Sequence, residues 1–499
     1  MLNFKLTLHT GARLIILCLL LTGCSQIVRQ FDTQERELNE NCFNLYEALD
    51  QAIENAGISD AGSAKITGFP HLRVNRFLST FAKQALSGDA LADWLERMRQ
   101  LDYSTRMLEF SNLSYQNKQN LTVQFHNTQS LNEQLAYCGQ QLNSLLLNNP
   151  EQTTALMRAA TVPDAYVQWQ RWLGLYPIVR LIAKAGVENL HEELSASFKI
   201  TPNQLPLEGQ LIGYSPKQDT RLTATRIHSI LTESAHNPLQ IPDPNPNQLN
   251  AIFDTHAPSW EIDSLDKNDK IGTVIVNHDN QFIVDTRRAQ VYRKVSYTQF
   301  AGNILLQLNY IIWFPSRPKE SPFDLYGGKF DGLIWRVTLG QDGRPLVYDS
   351  IHPCGCYYLV FPRAGFALIP PGESDEPVLY PGPIPQVGIN ERLVIRIAHR
   401  THYIEGIYTA PANANDSRYG LINYTGLQSL QTDTGRRVSF FDEQGLVTDS
   451  QRLERFFLWP LGVPSAGAMR QWGTHAIAFV GRRHFDDPDL LDRLIAPAE

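Results

Sequence analysis

The sequence predicts an α+β protein: an N-terminal antiparallel helical domain, then a β-rich C-terminal domain of sandwich or barrel-like form. Three observations lead there. Apolar residues recur at helical spacing through the first 200 residues, the texture changes to short β-like runs from Trp260 onward, and a proline cluster lies between the two regimes. With 499 residues, 43% hydrophobic and 19% charged, the chain is long and apolar enough for two or three domains with ample core, and it is not the composition of a disordered protein.

The helical elements come first. Residues 35–56 place Leu38, Cys42, Leu45, Leu49 and Ile53 on one helical face. Residues 90–101 repeat the pattern with Leu91, Trp94, Leu95 and Met98. Residues 164–181 repeat it again with Val167, Trp169, Trp172, Leu175 and Ile178, behind a Pro163-Asp164 start signal. The helical domain is expected over residues 24–200. Residues 201–258 are transitional, and Pro238, Pro242, Pro244 and Pro246 favour an extended connector, free or packed along the surface.

The β-rich domain is expected over residues 259–499. Strand candidates include 271–276, 281–285, 291–297, 303–314, 332–339, 345–348, 357–361, 392–398, 402–408, 437–441 and 475–480. Gly-Gly at 327–328 and Asp-Gly at 331–332 and 342–343 read as turns between them, and the last predicts a hairpin. Residues 304–314 form the longest apolar run outside the N-terminus, but Gln307 and Asn309 interrupt it, so it reads as a buried strand rather than a membrane span. In Asp486-Asp487-Pro488-Asp489-Leu490-Leu491 an Asp cap before a proline at the first helical position predicts a short closing helix.

The N-terminus carries an address. Lys5 and Arg13 make a basic n-region, residues 14–21 a short apolar core, and Thr22-Gly23 a small-residue cleavage site directly before Cys24. Leu21-Thr22-Gly23-Cys24 resembles the lipobox of bacterial lipoproteins. That resemblance implies removal of residues 1–23, thioether linkage of Cys24 to diacylglycerol, and N-acylation with a chain such as palmitate. Ser25 in place of Asp favours the outer membrane over the inner membrane, with the body facing the periplasm in either case. Loss of Lys5 and Arg13 takes the formal charge from −7 to −9, a poor balance for binding nucleic acid or anionic lipid by charge alone.

Of six cysteines, Cys18 leaves with the signal and Cys24 is lipidated, so four remain. An oxidising compartment favours pairing, and Cys42 and Cys138 both fall in the helical region, so they are paired with each other. Cys354 and Cys356 belong to the one compact cluster of reactive types, His352-Pro353-Cys354-Gly355-Cys356. Imidazole plus two thiolates suits zinc or copper, with further ligands from His399, His402, His475 or His484. Three other readings stay open: a structural Cys354–Cys356 disulfide, which leads, a redox-active pair, or a thiol nucleophile activated by His402 or His475.

Other features weigh less. His191-Glu192-Glu193-Leu194 lacks the second histidine of a zinc-peptidase helix, because residue 195 is Ser. Residues 481–487 combine cations, imidazole and carboxylates, and read as a solvated turn before the closing helix. Trp313, Trp335, Tyr348, Tyr357, Tyr358, Tyr403, Tyr408, Trp459 and Trp472 are dense enough to line a glycan- or peptide-binding cleft, or simply to fill a β core. Residues 330–338, 348–356 and 478–486 together resemble proteobacterial envelope proteins of unknown activity. The expectation is a lipid-anchored envelope protein that binds or scaffolds a glycan or protein partner; the alternative is a metal-binding protein, hydrolase or redox enzyme centred on His352, Cys354 and Cys356.

Overall fold

The computed structural model describes residues 39–126, 129–388 and 390–498. The signal segment and Cys24 lie outside the described residues. The α+β class holds: helices and one small hairpin dominate the first half, and a curled ten-stranded sheet dominates the second.

The helical region is built on α1 (Glu40–Ala56), α2 (Gly88–Asn112) and α3 (Leu131–Leu147). Leu45, Leu49 and Ile53 of α1 meet Trp94, Leu95 and Met98 of α2 and Leu135 and Leu142 of α3 in one core. The spacing that predicts these helices is therefore the spacing that buries them. A Ser130–Glu133 capping box starts α3. Cys42 and Cys138 join α1 to α3 through a disulfide. A hairpin that the sequence reading did not anticipate, β1 (Ala64–Ile66) with β2 (Phe69–Val74), packs against α2.

The third predicted helix divides. α4 (Gln168–Leu173) ends at Gly174, whose Cα packs so closely on Pro460 that a Cβ would lie 2.3 Å from that ring. Leu175 then takes a left-handed φ of 51°, and α5 (Tyr176–Ser197) begins in a new direction.

The transitional segment is structured. β3 (Gln210–Pro216) joins the large sheet, and α6 (Ala224–Ser234) and α7 (Pro246–His256) cover one of its faces. Between those helices the proline-rich stretch stays irregular but is anchored, with Leu239 and Ile241 buried in the helical core.

The sheet contains β3, β4 (Ser259–Ser264), β7 (Gln290–Phe300), β8 (Asn303–Arg317), β9 (Gly328–Leu339), β10 (Pro345–Ile351), β11 (Leu359–Pro362), β13 (Glu391–Ile397), β14 (Ile404–Pro411) and β15 (Ser417–Asn423). The intervening β5 (Thr273–Val276) and β6 (Phe282–Asp285) make a separate hairpin, and β12 (Phe366–Leu368) pairs near the C-terminus. Spatial order runs β11-β10-β9-β8-β7-β15-β3-β4-β13-β14. Neighbours are antiparallel except that β15 runs parallel to both β7 and β3, and β13 parallel to β4. The first residues of β15 pair with β3 and its last four with β7, so this short strand is the joint between two sub-sheets.

Both faces of the sheet are covered, by α5, α6 and α7 on one side and by the chain after residue 424 on the other. Strands buried on two faces need no polar alternation, which is why β8 reads as a near-continuous apolar run. The hairpin at Asp342-Gly343 forms as expected between β9 and β10, with Gly343 at φ 75°. Asp331-Gly332 does not turn. It lies inside β9, where Gly332 allows the neighbouring Ile312 carbonyl to approach. Residues 475–480 form no strand, only an isolated bridge from Ala476 to His484.

Candidate functional site

The ends of β8, β9 and β10 converge with the 398–403 loop. β10 delivers His352 into a tight turn in which Gly355 N donates to the His352 carbonyl (2.8 Å) and His352 N to the Cys356 carbonyl (3.0 Å). Gly355 has φ 92°, and a Cβ there would lie 2.3 Å from the Ala476 carbonyl, so both conformation and space demand glycine.

Asp331 is the centre of what lies behind this turn. Its Oδ1 meets His352 Nδ1 (3.2 Å) and accepts from Gly332 N (2.9 Å), and its Oδ2 meets His402 Nδ1 (2.7 Å). The far nitrogen of His402 stands 3.5 Å from Asp269 Oδ1, an ionic contact rather than a hydrogen bond. His402 stacks flat on Phe314 at 3.8 Å. Burial alone would lower the His402 pKa, but the carboxylates of Asp269 and Asp331 reverse that and raise it. His352 goes the other way, because burial outweighs its single shared carboxylate. Burial likewise works against ionisation of Asp331, yet the two imidazoles hold its carboxyl well below the usual range. The result is a buried assembly in which one carboxylate joins two imidazoles whose pKa values move in opposite directions.

In front of it lies a cavity of about 560 Å³. One wall is the apolar face of α5, contributing Ile182, Val187 and Leu190. The floor holds Arg317, Tyr357, Tyr403, Cys354 and Cys356, with Glu376 and Glu454 also lining it. The edges of Tyr357 and Tyr403 rest on His352 at 4.8 and 5.9 Å between ring centres, so the histidine–aspartate assembly supports the floor from behind.

Arg317 is 7% exposed; among the described residues no carboxylate is within ion-pair distance of it, and Asp331 acts on it only at longer range. Its Nη1 donates to the phenol oxygens of Tyr357 (3.3 Å) and Tyr403 (3.5 Å), and its buried Nε finds no acceptor. Glu454, with no ion pair of its own among the described residues, is pushed up to about 7 by burial despite Arg452 and Arg317 nearby. Glu376 is also pushed up to about 7 by burial, although it accepts from the amides of Phe479 (2.7 Å) and Val480 (3.1 Å). Near neutral pH the floor thus carries a permanent cation and two carboxyls close to half-protonated.

The sequence-flagged groups fall in three places. His352 and His402 meet on Asp331, Cys354 and Cys356 face the cavity, and His475 touches the same turn at the Pro353 backbone, beside Arg470 and Trp472, its pKa lowered to about 3 by burial and then by Arg470. Among the described residues no group of three or more His, Cys, Asp and Glu side chains is placed to hold a metal ion. The expected Cys354–Cys356 disulfide is corrected: both are free thiols, with the Cys356 amide donating to Cys354 Sγ (3.4 Å) and the two thiols in hydrogen-bond contact without a bond between them. Contact with Cys354 and then burial raise the Cys356 pKa well above its ordinary value, the opposite of an activated nucleophile.

The remaining candidates are structural. His399 stands 3.6 Å from Asp263, and His484 is held between Asp487 and Asp164 at 3.1 Å each. Arg482 pairs with Asp164, Arg483 donates to the Glu376 carbonyl, and Asp486 and Asp487 pair with Arg76 and Arg493, so residues 481–487 are a largely buried tie to other segments rather than the expected solvated turn. Of the aromatics, Trp313, Trp335, Tyr348 and Trp472 fill the core and Tyr408 bonds Glu261, while Tyr357, Tyr358 and Tyr403 do line the cavity. Sequence reasoning missed Arg317, Asp331, Glu376 and Glu454. Only Arg317 left a trace, as a cation closing a fifteen-residue strand of otherwise uncharged residues. No protein-family model, curated protein or solved structure matches the chain, so its functional reading rests on the chemistry of this cavity.

Proposed function

We propose that this is a lipid-anchored, periplasm-facing envelope protein that binds an amphipathic anion, a small molecule with an acidic head and an apolar body, in the cavity between α5 and the sheet end. The observation that carries the reading is Arg317. A buried guanidinium without a carboxylate is costly, and it is tolerated where a ligand supplies the missing anion. Its partners are phenols, which accept from it; with the Tyr357 hydroxyl bonded to Tyr403, the Tyr403 hydroxyl proton is the one left to donate toward the same oxyanion. The apolar α5 wall provides for the ligand's body, matching the general form of a small-molecule site with an apolar lining and few convergent polar groups.

The test is a thermal-shift and calorimetric titration of residues 25–499 with dodecyl phosphate and dodecanoate. Both are expected to raise Tm and to bind with one site, and Arg317→Met is expected to remove the effect while remaining folded by circular dichroism. Absence of binding by both probes, or equal binding by Arg317→Met, overturns the reading.

A further inference from the structure

Beside the cavity, continuous with the α5 wall that Ile182 shares, lie large apolar side chains that no described residue covers. Trp172 is 83% exposed and Ile182 is 72% exposed, and Trp169, Ile178 and Leu181 are exposed beside them on α4 and α5. Phe456 and Phe457 extend the same surface, because the turn that follows them packs on both helices: Arg171 Nε donates to the Leu461 carbonyl (2.8 Å) and Val167 N to the Gly462 carbonyl (2.7 Å). Large aromatic and aliphatic side chains concentrated on one face are not the ordinary scatter of surface hydrophobics.

The charge around this patch is one-sided. From Ala165 to Val187 the sequence contains Arg171, Arg180 and Lys184 and no acidic residue, in a chain whose formal charge is −7. Arg171 is committed to backbone carbonyls, but Arg180 and Lys184 are only half-buried on the exposed helix, and Arg455 lies over the Phe456 ring at 4.7 Å. Exposed Trp, Phe, Leu and Ile bordered by snorkelling cations is the composition of a segment that lies in the interface of an anionic bilayer. α5 does not cross it, since no described helix is long and apolar enough to span a membrane.

We infer that α4, the first half of α5 and residues 455–459 form a docking surface for an anionic phospholipid bilayer, laying the α5 side of the cavity against the lipid. The rest of the acidic body is repelled by such a surface, so the local cations also fix which face approaches. This inference depends neither on lipidation of Cys24 nor on the ligand proposed for the cavity.

The experiment uses residues 25–499, which carry no lipid, with vesicles of phosphatidylethanolamine and phosphatidylglycerol and with vesicles of phosphatidylcholine alone. Co-sedimentation with the anionic vesicles and a blue shift of tryptophan emission are expected, with binding to phosphatidylcholine at least about tenfold weaker. Trp172→Ser with Phe457→Ser is expected to reduce binding about tenfold or more, as is Arg180→Glu with Lys184→Glu. Each double variant is compared at equal circular dichroism, and the first touches only exposed side chains. A native chain that stays in the supernatant overturns the inference, as does unchanged binding by the Trp172→Ser, Phe457→Ser variant. A lipid-free dimer that this variant dissolves also overturns it, because the face then belongs to a second copy.

Discussion

Two buried charge clusters in this molecule are built on opposite terms. In the helical region Arg73 reaches Asp102 (3.2 Å) and Glu109 (2.7 Å), while Arg106 reaches Asp102 (2.7 Å) and Asp50 (2.8 Å) and donates to the Pro70 carbonyl (2.6 Å). Each guanidinium there has carboxylates on it, and the network ties α1, β2 and α2 together. At the cavity Arg317 has only phenols, and Glu454 has no ion pair among the described residues. All three guanidiniums are buried, but Arg317 has direct contact only with phenols and feels the carboxylate of Asp331 at longer range. A closed network holds a structure in place, whereas an open one keeps valence for something that arrives later.

Breaking the closed cluster is expected to have the largest effect. Asp102→Ala leaves two buried guanidiniums short of a carboxylate and is expected to cost roughly 3–5 kcal/mol, read as a fall in the urea midpoint with unchanged slope. Removing the covalent tie in the same region, by Cys42→Ala with Cys138→Ala, is expected to cost roughly 2–5 kcal/mol, since it frees a loop spanning 96 residues in the unfolded chain.

The open cluster responds to pH instead. Glu376 and Glu454 have folded pKa values raised to about 7, so their contribution to stability is fully present below the unfolded value near 4.5 and is lost as pH rises through about 7. Glu454→Gln is expected to flatten the decline in Tm between those pH values. An unchanged slope would place the open carboxyl elsewhere. Ligand binding is expected to weaken over the same window as Glu454 ionises beside Arg317. Smallest of all is the stability change in Arg317→Met, expected within about 1 kcal/mol because a buried cation with no carboxylate in contact is replaced by an apolar chain. A loss as large as that of Asp102→Ala would mean that Arg317 is compensated after all.

Much of the frame was legible because it is local. The faces of α1 and α2, the Asp342-Gly343 hairpin and the Cys42–Cys138 pair all follow from residues within one element or one region. β3, β4 and β15 escaped because they are short and three of their pairings are parallel, with partners as far as about two hundred residues away. Gly174 ended a helix through contact with Pro460, which no local pattern announces. The site followed the same rule. His352 and His402 were visible as residue types, but Asp331, which unites them, was read as half of an Asp-Gly turn. Arg317 acquires its character only from the carboxylates that are missing around it.

The position of β15 has a consequence in time. Its seven residues, 417–423, sit between strands that end at residues 216 and 300, and they hand over from one to the other. A nascent chain can therefore assemble β7 to β11 as a meander long before β15 exists, while β3 and β4 wait with an open edge of their own. Two bare backbone edges face each other across a gap until the last fifth of the protein is made. Until then each is a template for the wrong neighbour, including the same strand of another newly made chain. β15 is thus a latch that closes late, after the meander and before the chain beyond residue 424 can cover the joined sheet.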